Sequence, residues 1–256
     1  MNDFTLKILN ASIGKTHLFY VGQAGYILKS SSGQLLGIDL YLSECVERIE
    51  GHIGFKRLLP KILFPFELEF DAIITTHSHF DHFDFDSIPE LMANKRTKLY
   101  ASVNCEEEVK RLYMENDQIT YVQAGDLYNI GDYSLKFVSC DHGAAAPDAV
   151  GVIITVDGKR IYITGDTCLR TDRVEEYTKQ GIIDIMIAPI NGTFGNMSEQ
   201  DCAELSNVLS PKVTIPCHYG MFATHGGNVG LFIKKMKQIC PQNEFFIMEL
   251  GGTITI

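Results

Sequence analysis

No long apolar run occurs in this sequence. Nothing in its 256 residues approaches the roughly 18 consecutive apolar positions that a membrane helix requires. The opening MNDFTLKILNASIGKTHLF scatters Asp3, Lys7, Asn10 and Lys15 where a secretory signal would carry its apolar stretch. Basic residues are in deficit: 22 Lys and Arg against 32 Asp and Glu leave a formal net charge of −10. Phosphate backbones are bound by concentrated basic faces, so nucleic acid is not expected as a partner. The one short basic run, KRLLPK at 56–61, reads as a solvated helix face. Paired cysteines are missing too. The seven cysteines, at 45, 105, 140, 168, 202, 217 and 240, are odd in number and never closer than fifteen positions. That spacing excludes a CxxC zinc knuckle or redox pair. Free thiols without a signal point to a reducing compartment, and a cytoplasmic protein without a membrane partner is expected.

What is present is an ordinary globular composition, 45% hydrophobic and 21% charged. The length suits one large domain or two small ones, and without linkers or repeats a single domain over 1–256 is expected. The first 40 residues read as strands separated by tight turns, with Ser30-Ser31-Ser32-Gly33 between two apolar runs. The segment 43–70 changes character and reads as a helical excursion or a flap. FDAIITTH (70–77) is a short continuous apolar run, the pattern of a strand buried on both faces. Strands and helices then alternate. Helices are expected at 86–95, at 104–116 with Asn104 as N-cap, at 172–181 ending on a Gly, at 198–209 with Ser198 as cap, and at 227–238. Strands are expected at TKLYAS, QITYVQ, YSLKFVSC, AVGVIITV, KRIYITGD, IIDIMIAPI and KVTIPC, with two more at the end. Such an order predicts two mixed sheets with helices outside, a layered α/β sandwich.

The chemistry concentrates in THSHFDHFD, residues 76–84, where the chain leaves the apolar strand. His77 and His79 can turn to one side of such a loop, and Asp81 and His82 to another. Two adjacent ligand sets then share one short segment. Imidazole with carboxylate, and no thiolate, suits Zn²⁺, Mn²⁺ or Fe²⁺. A polar loop with surface histidines is the ordinary alternative, but three of the eight histidines beside one Asp exceed what composition alone would place there.

HxHxDH after an apolar strand resembles the defining motif of the metallo-β-lactamase superfamily. The further signals of that family follow in order, each at a strand end: His142 after YSLKFVSCD, Asp166 in YITGDT and His218 in TIPCHYG. Asp39 in LLGID matches the family's early Asp. The resemblance implies an α/β fold, the four-layer αβ/βα sandwich with two mixed β-sheets, and a site at the edge between the sheets. It also implies two divalent metal ions, Zn²⁺ or Mn²⁺ with Fe²⁺ compatible. His77, His79 and His142 would hold the first, and Asp81, His82 and His218 the second. Asp166 would bridge, and Asp39 would support the site from behind. Asp81 and Asp166 would be the catalytic carboxylates, and a hydroxide shared by two metals would be the nucleophile. Asp39, Asp71 and Thr76 are candidates to fix the outer nitrogens of the ligating histidines.

Within the superfamily, RLLPKILFPFELEFDAIITTH, PINGTFGNMSEQDCAEL and VTIPCHYGMFATHGGN resemble the group around L-ascorbate-6-phosphate lactonase. That resemblance implies hydrolysis of a small polar lactone or ester-like bond, with a sugar phosphate lactone included. Asn191 and Asn196 would hydrogen-bond the substrate, while Gly192 and Gly195 allow the turns of their loop. Tyr219 would stabilise a developing oxyanion or only pack. His225 would line the pocket, although a lone loop histidine ordinarily does nothing chemical. Cys168 reads as a small buried side chain, Asp141 as either a supporting or a solvated carboxylate, and His17 and His52 as surface or packing residues. The basic candidates for a phosphate are Lys56, Arg57, Lys61 and Arg170, none in a motif. The competing readings are a phosphodiesterase of the same fold and a non-catalytic metal-binding relative. A small-molecule partner is expected in each case, and a homo-oligomer is compatible with all of them.

Overall fold

The computed structural model describes every residue except 115, 116 and 145. Its first half runs α1 (Asp3–Asn10), β1 (His17–Gly22), β2 (Gly25–Lys29), β3 (Leu35–Ile38), α2 (Cys45–Glu50), β4 (Ala72–Thr75), α3 (Ile88–Met92), β5 (Lys98–Ser102), α4 (Glu106–Arg111) and β6 (Ile119–Val122). The second half runs β7 (Leu127–Ile130), β8 (Tyr133–Ser139), β9 (Val150–Val156), β10 (Lys159–Ile163), α5 (Val174–Thr178), β11 (Ile185–Pro189), α6 (Glu199–Leu209), β12 (Val213–Cys217), α7 (Val229–Ile239), β13 (Glu244–Phe245) and β14 (Thr253–Thr255).

Two seven-stranded mixed sheets result, in the orders β14-β1-β2-β3-β4-β5-β6 and β13-β12-β11-β10-β9-β8-β7. In each, one part is antiparallel and built of hairpins, and the other is parallel and built of strand–helix crossovers. Successive side chains of β1 point to opposite faces, and both faces are buried. Leu18 and Tyr20 face the layer between the sheets, where Leu28, Ile38 and Ile74 meet Leu135, Phe137, Ile154 and Ile215. Phe19 and Val21 face outward, where the first sheet packs on Ile8 of α1, Leu91 and Met92 of α3 and Val109 of α4. On the far side, Ile153, Tyr162 and Met186 pack on Leu205 and Leu209 of α6 and Phe232 and Met236 of α7. The architecture is therefore the expected four-layer αβ/βα sandwich.

Several local expectations are corrected. The N-terminus is a helix, not a strand: Asn2 caps it by accepting from the Thr5 N–H, and Phe4 and Ile8 share one buried face. The first apolar run is split into β1 and β2 by a tight turn at Gln23, whose φ is +55°. The segment 43–70 is a helical excursion, with α2 followed by 3₁₀ turns at Gly51–Ile53 and Pro65–Glu67. Asn104 does not cap α4. Residues 103–105 form a 3₁₀ turn, so the cap position falls on Cys105 without a side-chain bond. The last two positions expected of that helix, 115 and 116, lie outside the described residues. Strand β7 was not anticipated, because only its alternating burial distinguishes it from a loop. Ser198 does cap α6, in a reciprocal arrangement with Asp201. Among the described residues, no helix is long and apolar enough to cross a membrane.

Candidate metal centre

The candidate residues collect along one edge of the sandwich, just beyond strand ends. Asp39 follows β3, and His77 follows β4. The loop after β4 then coils tightly, with the His82 and Phe83 N–H groups both donating to the His79 carbonyl. This turn brings His79, Asp81 and His82 to the same edge as His77. His142 follows β8, Asp166 follows β10 and His218 follows β12. His218 has φ +62°, and its N–H donates at 2.9 Å to the carbonyl of Gln23 in the other sheet. Asp39, at φ +46°, is likewise held in the left-handed region by its contacts.

His77 Nε2 lies 3.0 Å from His79 Nδ1, and His142 Nε2 lies 3.1 Å from the same atom. A second set surrounds His218 Nε2: Asp166 Oδ2 at 3.0 Å, Asp81 Oδ2 at 3.2 Å and His82 Nε2 at 3.3 Å. Asp166 stands between the sets, with Oδ1 3.4 Å from His82 Nε2 and Oδ2 3.8 Å from His142 Nε2. His77, His79 and His142 form one group of ligand atoms lying within 4.8 Å of each other. His77, His82 and Asp166 form another, and Asp81, His82 and His218 a third.

The hydrogen-bond network shows why these residues fit cations. His82 Nδ1 donates to Asp39 Oδ2 at 2.9 Å, which leaves Nε2 for the cluster; against its burial, Asp166 and Asp39 hold this ring charged, so a cation there would displace the Nε2 proton. His77 Nδ1 meets Thr76 Oγ1 at 3.1 Å, and that hydroxyl itself donates to Asp39 Oδ2 at 2.8 Å. The His77 proton is thereby placed on Nδ1, and its Nε2 points inward bare. Lone pairs facing lone pairs and carboxylates inside a buried site repel unless a positive charge sits among them. Nitrogen and oxygen donors without thiolate suit Zn²⁺, Mn²⁺ or Fe²⁺.

Electrostatics divide the cluster in the same way. Burial, assisted by His82, holds His77 well below the usual imidazole range. Burial pushes His142 down to about 4. Burial also opposes charge on His218, but Asp166 and Asp81 outweigh it and lift the ring to about 9. In turn, His218 and His82 keep the Asp166 carboxylate ionised against its burial. One set is thus neutral imidazole, and the other is carboxylate balanced by protons that a cation would replace.

The remaining candidates separate. Asn196 reaches the site: its amide donates to Asp166 Oδ2 at 2.8 Å. Asn191 turns to Thr193 and builds the base of its own loop. Tyr219 points elsewhere, donating to the Met248 carbonyl at 3.2 Å, which removes it as an oxyanion donor. His225 is in place, lining the cavity with its ring centroid 4.6 Å from that of His218. Asp71 binds the Leu35 N–H instead of a histidine, whereas Asp39 and Thr76 do hold ligand rings. Asp141 pairs with Arg170 at 2.6 Å. Cys168 is half-buried, not buried. Arg57 spends its guanidinium on backbone carbonyls, Lys61 pairs with Glu44, and neither lines the cavity.

Gln23 is the residue the sequence did not reveal. It is buried at the β1–β2 turn, and its Nε2 donates to Asp81 Oδ2 at 2.7 Å and to His225 Nδ1 at 3.0 Å. The amide must face this way, since the reverse would set its oxygen against the Asp81 carboxylate. A polar residue in the otherwise apolar hairpin YVGQAGYIL was the available signal.

The model of a beta-lactamase superfamily domain matches residues 55–219, a span that holds all seven clustered histidines and aspartates. The chain belongs to the metallo-β-lactamase superfamily. Asp39, Gln23 and His225 lie outside the matched span, so their places rest on the geometry alone. Among relatives in the superfamily, a UPF0173 metal-dependent hydrolase of Thermodesulfovibrio yellowstonii is 28% identical over 269 residues, covering 96% of this chain and 94% of the relative. One of Saccharolobus solfataricus is 27% identical, covering 78% and 86%. Among solved structures, Igni18, a metallo hydrolase of Ignicoccus hospitalis, aligns with a TM-score of 0.73 at 21% identity over 94% of this chain and 98% of that one. At that identity the likeness speaks for the fold.

Proposed function

We propose that this metal-dependent hydrolase holds two divalent cations, Zn²⁺ or Mn²⁺ with Fe²⁺ compatible, and cleaves a lactone or other ester-like bond of a small molecule. The observation that carries the reading is Asp166, whose two oxygens lie between a three-histidine set and an Asp–His–His set. Bound there, such cations would supply Lewis acidity toward a carbonyl oxygen and would make a water acidic enough to act near neutral pH.

The chain's own residues do the positioning. Asp39 keeps the His82 proton on Nδ1, and Thr76 does the same for His77. Asn196, by donating to Asp166 Oδ2, limits how that carboxylate can turn. Gln23 uses both amide protons, one on Asp81 and one on His225 Nδ1. The His225 proton therefore sits on Nε2, as a donor to a substrate oxygen at the cavity wall. Burial pushes His225 down to about 4, so it acts as a neutral donor across the physiological range.

Elemental analysis with a substrate screen tests the reading. The Zn²⁺- and Mn²⁺-loaded protein is offered lactones, thioesters, phosphodiesters and β-lactams. Two metals per chain and turnover of lactones or esters are expected. Turnover confined to phosphodiesters, or no metal retained after reconstitution, refutes it.

A further inference from the structure

We propose that the non-reacting part of the substrate is uncharged and apolar, an alkyl or aryl group, and that Phe194, Phe55 and Ile53 are the wall that selects it. The inference rests on the hydrolase reading above and names the substrate class for that site.

The cavity beside the cluster has a volume of about 400 Å³, at the small end of ligand sites. Its lining includes the donor set, represented by His79, Asp81, His142 and His218. It also includes hydrocarbon from Val46, Ile53, Phe55, Phe80 and Phe194. A substrate whose carbonyl meets the donors must lay its remainder against that hydrocarbon.

Charge points the same way. Apart from the clustered aspartates, the charged lining residues are Glu50 and Glu108, and among the described residues neither Lys nor Arg lines the cavity. Arg111 is near but is occupied, with Nη1 2.9 Å from Glu108 Oε2. A phosphate or carboxylate far from the reacting bond would be desolvated here without a cation and beside like charge. A sugar phosphate therefore finds no anchor, whereas an alkyl chain gains from every methylene buried.

Two residues of the wall also differ from core packing, while Phe55 is buried with Val46, Met221 and Phe222. Ile53 is 58% exposed and Phe194 56%, yet both face a concave site. Phe194 stands at φ +56°, a conformation disfavoured for a bulky side chain, between Gly192 and Gly195. Its ring centroid is 5.7 Å from that of Phe55 and 5.4 Å from that of His225. The loop thus holds a large aromatic, in a strained backbone, over the site instead of in the core. Strain kept at such a place is characteristic of binding surfaces.

The chain contains no tryptophan, so Phe194→Trp adds a single fluorophore to the wall. Titrating the metal-loaded variant with neutral straight-chain amides, acetamide to octanamide, reads binding without chemistry. A saturable blue shift is expected, with affinity rising about fourfold per methylene until the cavity fills. Affinity independent of chain length, or a response to glucose 6-phosphate but not to octanamide, overturns the proposal. Wild-type kcat/KM on esters of one alcohol with two- to eight-carbon acyl groups should rise by a similar factor per methylene, and Phe194→Ala should flatten that slope. Should Phe194→Trp fail to fold, this ester series decides alone. Esters cleaved equally well at every chain length leave the hydrolase reading standing and sink the wall. Chain-length-dependent amide binding with no ester or lactone turnover does the reverse.

Discussion

Replacing Asp39 by Asn isolates one link between a buried hydrogen bond and metal affinity. Asp39 is fully buried and accepts from the Thr76 N–H at 2.8 Å, the Thr76 hydroxyl at 2.8 Å and His82 Nδ1 at 2.9 Å. Asparagine has the same shape. Its remaining oxygen can still take the Thr76 N–H, and the Thr76 hydroxyl can rotate to accept from the new amide. His82 has no such freedom. Its Nδ1–H would face an N–H, so the ring must move its proton to Nε2 and give up the lone pair it directs at the cluster. Changes of this kind behind a ligand cost about 10–100-fold in metal affinity, or roughly 1.4–2.7 kcal/mol at about 1.4 kcal/mol per tenfold.

Competition against a chromophoric chelator measures this directly. Wild type should titrate as two sites. In Asp39→Asn, one of them should weaken by about 10–100-fold. The other should weaken less, because His79 and His142 make no contact with Asp39 and His77 meets it only through the Thr76 hydroxyl. Circular dichroism checks that the fold is kept. Two sites titrating as in wild type would refute the reasoning, since His82 would then not depend on Asp39 for its inward lone pair.

Other perturbations reach further parts of the molecule. Gln23→Leu removes both donors to Asp81 and His225 while keeping an apolar body. Ester or lactone kcat/KM should fall by about 10–100-fold, and Gln23→Asn should not rescue it because the shorter amide cannot reach. The Lys29 ammonium donates to the carbonyls of Ile8, Leu9 and Ala11 at the C-terminus of α1. Lys29→Met should therefore lower stability by about 2 kcal/mol, seen as a drop of roughly 4–8 °C in Tm without loss of bound metal. Burial raises the cysteine thiols, Cys45 up to about 12, so their thiolate fractions at pH 8 are far below that of a free thiol. Iodoacetamide at pH 8 should label the native protein slowly and first at half-buried Cys168, and all seven sites only after denaturation, as mass spectrometry would show.

The parts legible in the sequence are those fixed by local rules. β4 announces itself as an apolar run because both its faces are covered, and the ligand loop follows it within a few residues. Ser198 three residues before Asp201 specifies the start of α6 without help from the rest of the chain. The α1 helix was hidden because its stability is not local: Lys29, eighteen or more residues away, satisfies its last carbonyls. Tyr219 shows the limit most clearly. It adjoins His218 in sequence, but the φ of +62° at His218 turns the following residue away, and its hydroxyl ends on Met248. Proximity along the chain is a poor guide once a left-handed residue intervenes.

Gln23 illustrates the converse, and it links the two sheets to the chemistry. Its backbone carbonyl accepts from the His218 N–H, while its side chain donates to Asp81 and His225. One residue at a hairpin of the first sheet thus fixes a ligand loop of the second sheet, a ligand carboxylate of its own sheet and a donor at the cavity wall. A left-handed φ at Gln23 is what lets its carbonyl and its side chain both reach the centre, so the strain there is sustained by three bonds to site residues. The turn sequence Gly22-Gln23-Ala24-Gly25 favours a tight hairpin but says nothing of these partners, which lie 58, 195 and 202 positions away along the chain. The second donor set takes its full shape only once both sheets have docked, because Gln23 in a hairpin of the first sheet holds the His218 N–H and His225 Nδ1 as well as Asp81. Folding and site assembly are in this respect a single event.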